Sequence, residues 1–203
     1  MIVIGLTGGI GTGKSEVARI LQELGAVIIN ADQVGHQAYT PHTEAWSEVV
    51  KAFGAEILRE DGEIDRRKLG GIVFADPAQL TRLNQIMHPR MARMVAEQIE
   101  ELQGQGIPAI VVEAAVLFEA GWESLVEEVW TTESPVAAVA ARLQARSGWD
   151  ADEVQKRVDS QMSSAERSER ADVVVENSGD LESLERRIKS LWESRVEGRI
   201  EQA

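Results

Sequence analysis

Residues 5–16 read GLTGGIGTGKSE, and the spacing of Gly8, Gly13, Lys14 and Ser15 matches G-x-x-x-x-G-K-[ST]. The run IVIGL at 2–6 is a short apolar, β-branched stretch that predicts a buried strand. Behind the loop, Val17, Ile20, Leu21 and Leu24 fall at helical spacing, and Gly25 stands where a helix end calls for a left-handed residue. Strand, glycine loop and helix in that order are the context this motif requires. Backbone N–H groups of Gly8, Gly9, Gly11, Thr12, Gly13 and the first helical residues through Glu16 are expected to face the phosphates of a nucleotide, with ATP the expected ligand. Lys14 reaches the outer phosphates, and the Ser15 hydroxyl is placed to ligate Mg²⁺.

Outward from the loop, AVIIN at 26–30 reads as a second strand, with Asp32 just past its end. A carboxylate at that edge of an open α/β sheet either accepts a proton from an attacking hydroxyl, holds a metal-bound water, or caps the following helix. The next strand, AIVVE at 109–113, comes more than seventy residues later, far beyond a simple crossover. The interval therefore holds an insertion. Helical periodicity covers EAWSEVVKAF and residues 77–102, whereas REDGEIDRRKLG is polar and turn-like. Met87, Met91 and Met94 are expected in its core. His88, before Pro89, is either a site residue or part of a structured turn.

Glu113 closes the third strand, either as an acid near magnesium or as an exposed strand end. EEVWTT reads as a fourth strand, Ser134 and Pro135 as the start of a helix reaching about Arg146, and Asp150 with Glu153 as an acidic capping box opening another. Arg142 and Arg146, four apart, share a helix face; on a lid they would balance charge on a phosphoryl group in flight, and on a plain surface helix they would be solvated. Arg157 belongs to the same hairpin. DVVVEN at 172–177 is a fifth strand, and Leu181, Leu184, Ile188 and Leu191 mark a closing helix. The expected fold is α/β: a P-loop core with a five-stranded parallel sheet at 1–32, 108–133 and 170–203, an inserted helical substrate lobe at 33–107, and a lid at 134–169.

Composition narrows the chemistry. The chain has 203 residues, 43% hydrophobic and 27% charged, as befits one globular protein with insertions. It has no cysteine, so its chemistry uses oxygen and nitrogen groups. A formal charge of −13 argues against nucleic acid and anionic membranes as partners and requires a locally basic pocket for any anionic ligand. The opening run does not read as a signal peptide, and no apolar stretch approaches the roughly 20 residues of a membrane span, so the cytoplasm is expected.

Taken together, GLTGGIGTGKS, GAVIINAD, FGAEILREDGEIDRRKL, VF, NQIMHP, LFE, RLQAR, SQM and ADVVVENSG resemble the dephospho-CoA kinase family, in order, from residue 5 to 179. The resemblance implies transfer of the ATP γ-phosphate to the ribose 3′-hydroxyl of dephospho-CoA, the last step of coenzyme A synthesis. It implies that Gly11 through Ser15 hold the nucleotide, that Asp32 serves the acceptor, that Arg66 contacts the CoA-type substrate, and that Arg142 and Arg146 are lid arginines; His88 and Glu113 are likewise expected to bind the substrate. Two positions depart from the family pattern: Glu16 replaces a threonine, and Ala115 replaces a proline. Rival readings are another small P-loop kinase acting on a nucleoside monophosphate or hydroxyl metabolite, and a nucleotide switch, which would need an N-K-x-D motif that ENSG at 176–179 does not supply.

Overall fold

The computed structural model describes residues 1–148, 150, 154–155, 157–158 and 161–200, without the side chains of Arg146 and Ile200. In chain order the elements are β1 (Ile2–Gly8), α1 (Lys14–Glu23), β2 (Val27–Asn30), α2 (Ala31–Ala38), α3 (Glu44–Phe53), α4 (Arg66–Ala75), α5 (Pro77–Leu102), β3 (Ala109–Glu113), β4 (Glu128–Glu133), α6 (Val136–Ser147), α7 (Ser164–Arg170), β5 (Val173–Glu176) and α8 (Leu181–Trp192). The chain divides into two compact units, residues 1–29 with 99–203, and residues 30–98.

The five strands form one parallel sheet in the order β2-β3-β1-β4-β5. β1 is central, with Ile4 opposite Val111 of β3 on one side and Gly5 opposite Val129 of β4 on the other. Every residue of β1 is buried: α1 and α8 pack on the face of Ile4 and Leu6, and Leu117 and Val126 close in on the other face at Gly5. Ile4, Leu6, Val17, Leu21, Val111 and Ile188 sit in one core cluster, joining β1 and β3 to α1 and α8. The parallel arrangement brings the carboxyl ends of β1, β3 and β4 to one edge, since Leu6 pairs with Glu113 and Gly8 with Thr132. Open α/β sheets bind ligands at that edge.

Beyond α8 the helix opens into a π turn at Glu193–Glu197. Arg195 in that turn and Arg199 just after it meet the buried carboxylate of Glu128 at 3.3 and 2.6 Å, and the Trp130 indole N–H donates to the same group at 3.0 Å. A buried carboxylate persists only when so paired.

In the second unit, Val49, Phe53, Ile57, Leu69, Val73 and Met87 form a separate core, with Met91 and Met94 packed against it. Thr43 caps α3 by accepting from the Trp46 amide, and the Trp46 indole donates to the Gly62 carbonyl at 2.9 Å, tying the 59–65 turn to the helix.

Several local expectations need correction. The DRRKLG end of the polar stretch is not a turn: Asp65 accepts from the amides of Arg67 and Lys68, and α4 starts at Arg66. Gly70 and Gly71 dilute the periodicity there, although Leu69 and Val73 are buried. His88 and Pro89 lie inside α5 rather than in a turn. Pro89 removes one helical N–H, and the Arg90 side chain donates to the adjacent Ile86 carbonyl at 2.8 Å. Ser134 does not cap α6, whose N-cap is Pro135. In the 150s, residues 154–155 and 157–158 are helical, and Val154 packs with Val139 and Leu143. The expected Asp150–Glu153 capping box lies outside the described residues, as Glu153 is not among them.

Trp130 is wholly buried between β1 and β5 in sheet order. Trp130→Ala is expected to lower unfolding free energy by about 3–5 kcal/mol in urea denaturation. A loss below about 1 kcal/mol would contradict this account of the core.

Candidate active site

The glycine loop runs from Gly8 at the end of β1 to Lys14 at the start of α1. Gly13 is the N-cap of α1 in the left-handed region, and no side chain caps this helix. Asn30, Thr43, Asp65, Ser163 and Asp180 cap α2, α3, α4, α7 and α8, so α1 alone among these leaves its first amides for a ligand. Gly13 has φ +101°, and a Cβ there would lie 2.2 Å from the Asn177 amide nitrogen. At Gly8 a Cβ would lie 2.1 Å from the Thr132 hydroxyl. Both positions admit glycine only.

The loop carbonyls are tied down one by one. Gly9 O accepts from the Thr12 hydroxyl at 2.7 Å, and that hydroxyl shares a 2.6 Å hydrogen bond with Thr132. Gly11 O accepts from Arg142 Nη1 at 3.2 Å, Thr12 O from Asn177 Nδ2 at 2.9 Å, and Gly8 O from Lys14 Nζ at 3.2 Å. Ser134 joins this network, donating to the Asn177 carbonyl at 2.7 Å and accepting from Arg142 Nη1 at 2.8 Å. Arg142 Nη2 also donates to Asn177 O at 3.2 Å. A peptide whose carbonyl is held on one side directs its N–H to the other, which is the polarity an anion cradle needs. The Ile10 amide is the exception, donating to Gln161 Oε1 at 2.9 Å.

Ser15 and Glu113, from α1 and the end of β3, meet directly: the hydroxyl donates to Glu113 Oε1 at 2.9 Å. Two hard oxygen donors together suit Mg²⁺. Among the described residues no three His, Asp or Glu gather as a metal centre. Glu16 turns along α1, where its carboxylate binds the Arg19 Nε at 2.9 Å and Nη2 at 2.6 Å. The charge that replaces the expected threonine is thereby balanced outside the loop.

In the second unit, Asp32 occupies the first turn of α2 but does not cap it; Asn30 does, accepting from the Gln33 amide at 3.1 Å. The capping alternative for Asp32 is therefore excluded, and its carboxylate lines a recess of about 400 Å³ with His36, Tyr39, Arg66, Asn84 and His88. A second recess of about 350 Å³ shares His36, Tyr39 and Arg66 and adds Arg59. The two make an elongated groove of the size that small-molecule sites have. Arg66 brings positive charge to it, beside the carboxylate of Asp32 and the Arg59–Glu63 ion pair at 3.8 Å. Burial pushes the Tyr39 phenol up from its ordinary pKa, and the nearby Arg66 opposes that shift.

Of the residues expected from the sequence, the first unit thus joins Lys14, Ser15, Glu113 and Arg142 around the loop, and the second joins Asp32, Arg66 and His88 in the groove. Arg146 lies on α6 four residues after Arg142. Sequence reasoning missed the loop-binding roles of Asn177, Ser134 and Gln161, which reach the loop from positions 122 to 165 residues away. Their signal is present in the stretches SQM and ADVVVENSG, which carry Gln161 and Asn177 without any local periodicity.

A parallel five-stranded sheet with a glycine loop at the carboxyl end of its central strand defines the P-loop kinase class. Shikimate kinase from Bacteroides thetaiotaomicron shares the fold at TM-score 0.55 and 14% identity, covering 95% of this chain and 98% of its own. The dephospho-CoA kinase family model matches residues 2–183, and the chain belongs to that family. Dephospho-CoA kinase of Carboxydothermus hydrogenoformans is 46% identical over 93% of this chain and 92% of its own length, and that of Geobacter sulfurreducens is 44% identical over 96% and 99%. A Thermus thermophilus crystal structure superposes at TM-score 0.80 with 34% identity, covering 96% of this chain and 97% of its own.

Gly13→Ala places a methyl group against Asn177 and in a strained conformation. ATP affinity by calorimetry is expected to fall at least about 100-fold while helical circular dichroism stays intact. Undiminished binding would refute the closed-loop geometry.

Proposed function

We propose that the chain phosphorylates the ribose 3′-hydroxyl of dephospho-CoA with ATP, yielding coenzyme A and ADP. Family membership carries this reading, and the presence of an uncapped glycine loop in one unit and of a recess bearing Asp32 and Arg66 in the other supports it. No helix among the described residues is long and apolar enough to cross a membrane, and the reaction is assigned to the cytoplasm as one between soluble metabolites.

The residues take the following roles. Amides from Gly8 through Glu16 bind the phosphates, and Lys14 leaves the Gly8 carbonyl to pair with the outer ones. Ser15, with Glu113 behind it, would hold Mg²⁺, whose presence screens charge between the β- and γ-phosphates. Residues 33–107 form the acceptor lobe, where Arg66 and His88 bind the substrate, and Asp32, immediately before it, takes the proton from the 3′-hydroxyl. A bond then forms between that oxygen and the γ-phosphorus, the bond from phosphorus to the β–γ bridging oxygen breaks, and ADP leaves. Residues 134–169 act as a lid whose arginines, Arg142 and Arg146, balance the negative charge and help exclude water. Arg142 also braces the loop through the Gly11 carbonyl. Most of the catalysis is alignment and charge balance, which is what phosphoryl transfer requires of a protein.

Incubation with Mg²⁺, ATP and dephospho-CoA should give a new 3′-phosphomonoester with matching ADP, read by phosphorus NMR and mass spectrometry, whereas shikimate and nucleoside monophosphates give none. Phosphorylation of one of those acceptors in its place would overturn the assignment. Asp32→Asn is expected to keep ATP affinity and lower turnover about 100-fold or more, the scale of losing a general base. Turnover equal to that of the parent chain would remove Asp32 from the chemistry.

A further inference from the structure

Arg167, on α7, is 3% exposed. Neither its Nε nor its Nη2 has a hydrogen-bond partner, and both atoms are sealed from solvent. Its nearest ion-pair partner is Glu119, whose Oε1 stands 3.7 Å from Nη2, an attraction without hydrogen-bond contact. Desolvation weakens the hold of the guanidinium on its proton, with Glu119 and Glu166 acting against that effect. A buried, under-bonded cation is unfavourable on its own, since a guanidinium offers five donors and is accommodated when acceptors meet them.

The missing acceptors are indicated by what lies beside it. Arg167 Nη1 is 3.5 Å from the position a Cβ would take on Gly9, and Gln161 Oε1 is 3.6 Å from that point. Gly9 adjoins Gly8, whose carbonyl accepts from the Lys14 ammonium at 3.2 Å. Lysine at this motif position serves the β- and γ-phosphates, so the Gly8–Gly9 end of the loop is where the terminal phosphates come. Arg167 flanks that end from α7, opposite in sequence to the α6 arginines and independent of them.

We propose that Arg167 is a phosphate-contacting residue whose guanidinium donates to oxygens of the terminal phosphates of the bound nucleotide, with Glu119 as the positioning residue that keeps it turned toward the loop. Nη1, the guanidinium nitrogen beside Gly9, is the donor that meets those oxygens, while Nε and Nη2 stay buried on the side of Glu119. Pre-set donors of this kind stabilise charge that spreads over the phosphoryl oxygens during transfer without reorganising at that moment. The inference rests on the P-loop kinase reading, but not on which hydroxyl accepts the phosphate.

The test compares binding of ATP, ADP and AMP, each without acceptor, to the full chain and to Arg167→Met, by calorimetry, together with turnover and thermal unfolding. The variant is expected to bind ATP at least about tenfold more weakly, to bind AMP within about twofold of the parent chain, and to turn over about 100-fold more slowly. Its unfolding temperature should not fall, because an apolar side chain replaces an under-bonded buried charge. Should the methionine variant not fold, Arg167→Gln carries the same comparison and the same expected split between ATP and AMP. ATP affinity and turnover within about twofold of the parent chain would overturn the proposal. So would an equal loss for AMP and ATP, which would mean that Arg167 only props up the loop. A wrong acceptor assignment would instead show as no phosphorylation of dephospho-CoA by the parent chain while its ATP binding and the Arg167 effect persist.

Discussion

The hydrogen bond from the Asn177 side chain to the Thr12 carbonyl, 2.9 Å long and spanning 165 positions of sequence, is the contact on which the site depends. It fixes the peptide before Gly13, and Gly13 has no side chain because Asn177 occupies the place a Cβ would take. Thr12, Arg142 and Lys14 hold the neighbouring carbonyls in the same way. A loop of glycines has high conformational entropy. Here that freedom is removed by partners on β4, α6 and the end of β5, so a ligand meets amides that are already oriented.

This arrangement explains why the sheet order matters. β1 lies between β3 and β4, with β5 beyond β4, so the loop leaving β1 is flanked by Glu113 on one side and by Thr132, Ser134 and Asn177 on the other. The first group supplies oxygen near Ser15, and the second supplies support beneath the loop. A fold with the same elements in another order would not put a metal-competent carboxylate and a carbonyl-binding amide on opposite sides of one glycine loop. The second unit has its own core, and there Asn30 caps α2 and so leaves the Asp32 carboxylate to the groove.

How far the sequence speaks follows from how far its signals reach. β1, the loop and α1 are contiguous and carry a spacing rule, and α3 and α5 run over the residues their periodicity indicates. α4 hides behind Gly70 and Gly71, and its start is legible only once Asp65 is seen as a cap. Ser134 and the capping alternative for Asp32 give way for one reason: a residue type favoured at caps is also favoured for any other hydrogen bond, and Pro135 and Asn30 stand at the caps in their place. Gln161 and Asn177 hold the loop across 151 and 165 positions, and no local pattern marks such contacts. Family resemblance locates their segments, while only the fold gives the side chains a task.

The most direct test of a loop pre-set through its carbonyls is the ATP affinity of Asn177→Ala, measured by titration calorimetry on the full chain. The account predicts binding weaker by about tenfold or more, because the variant frees the Thr12 peptide without removing any group that touches phosphate. Affinity equal to that of the parent chain would show that the loop takes its shape from the nucleotide and not from the fold, and would contradict it.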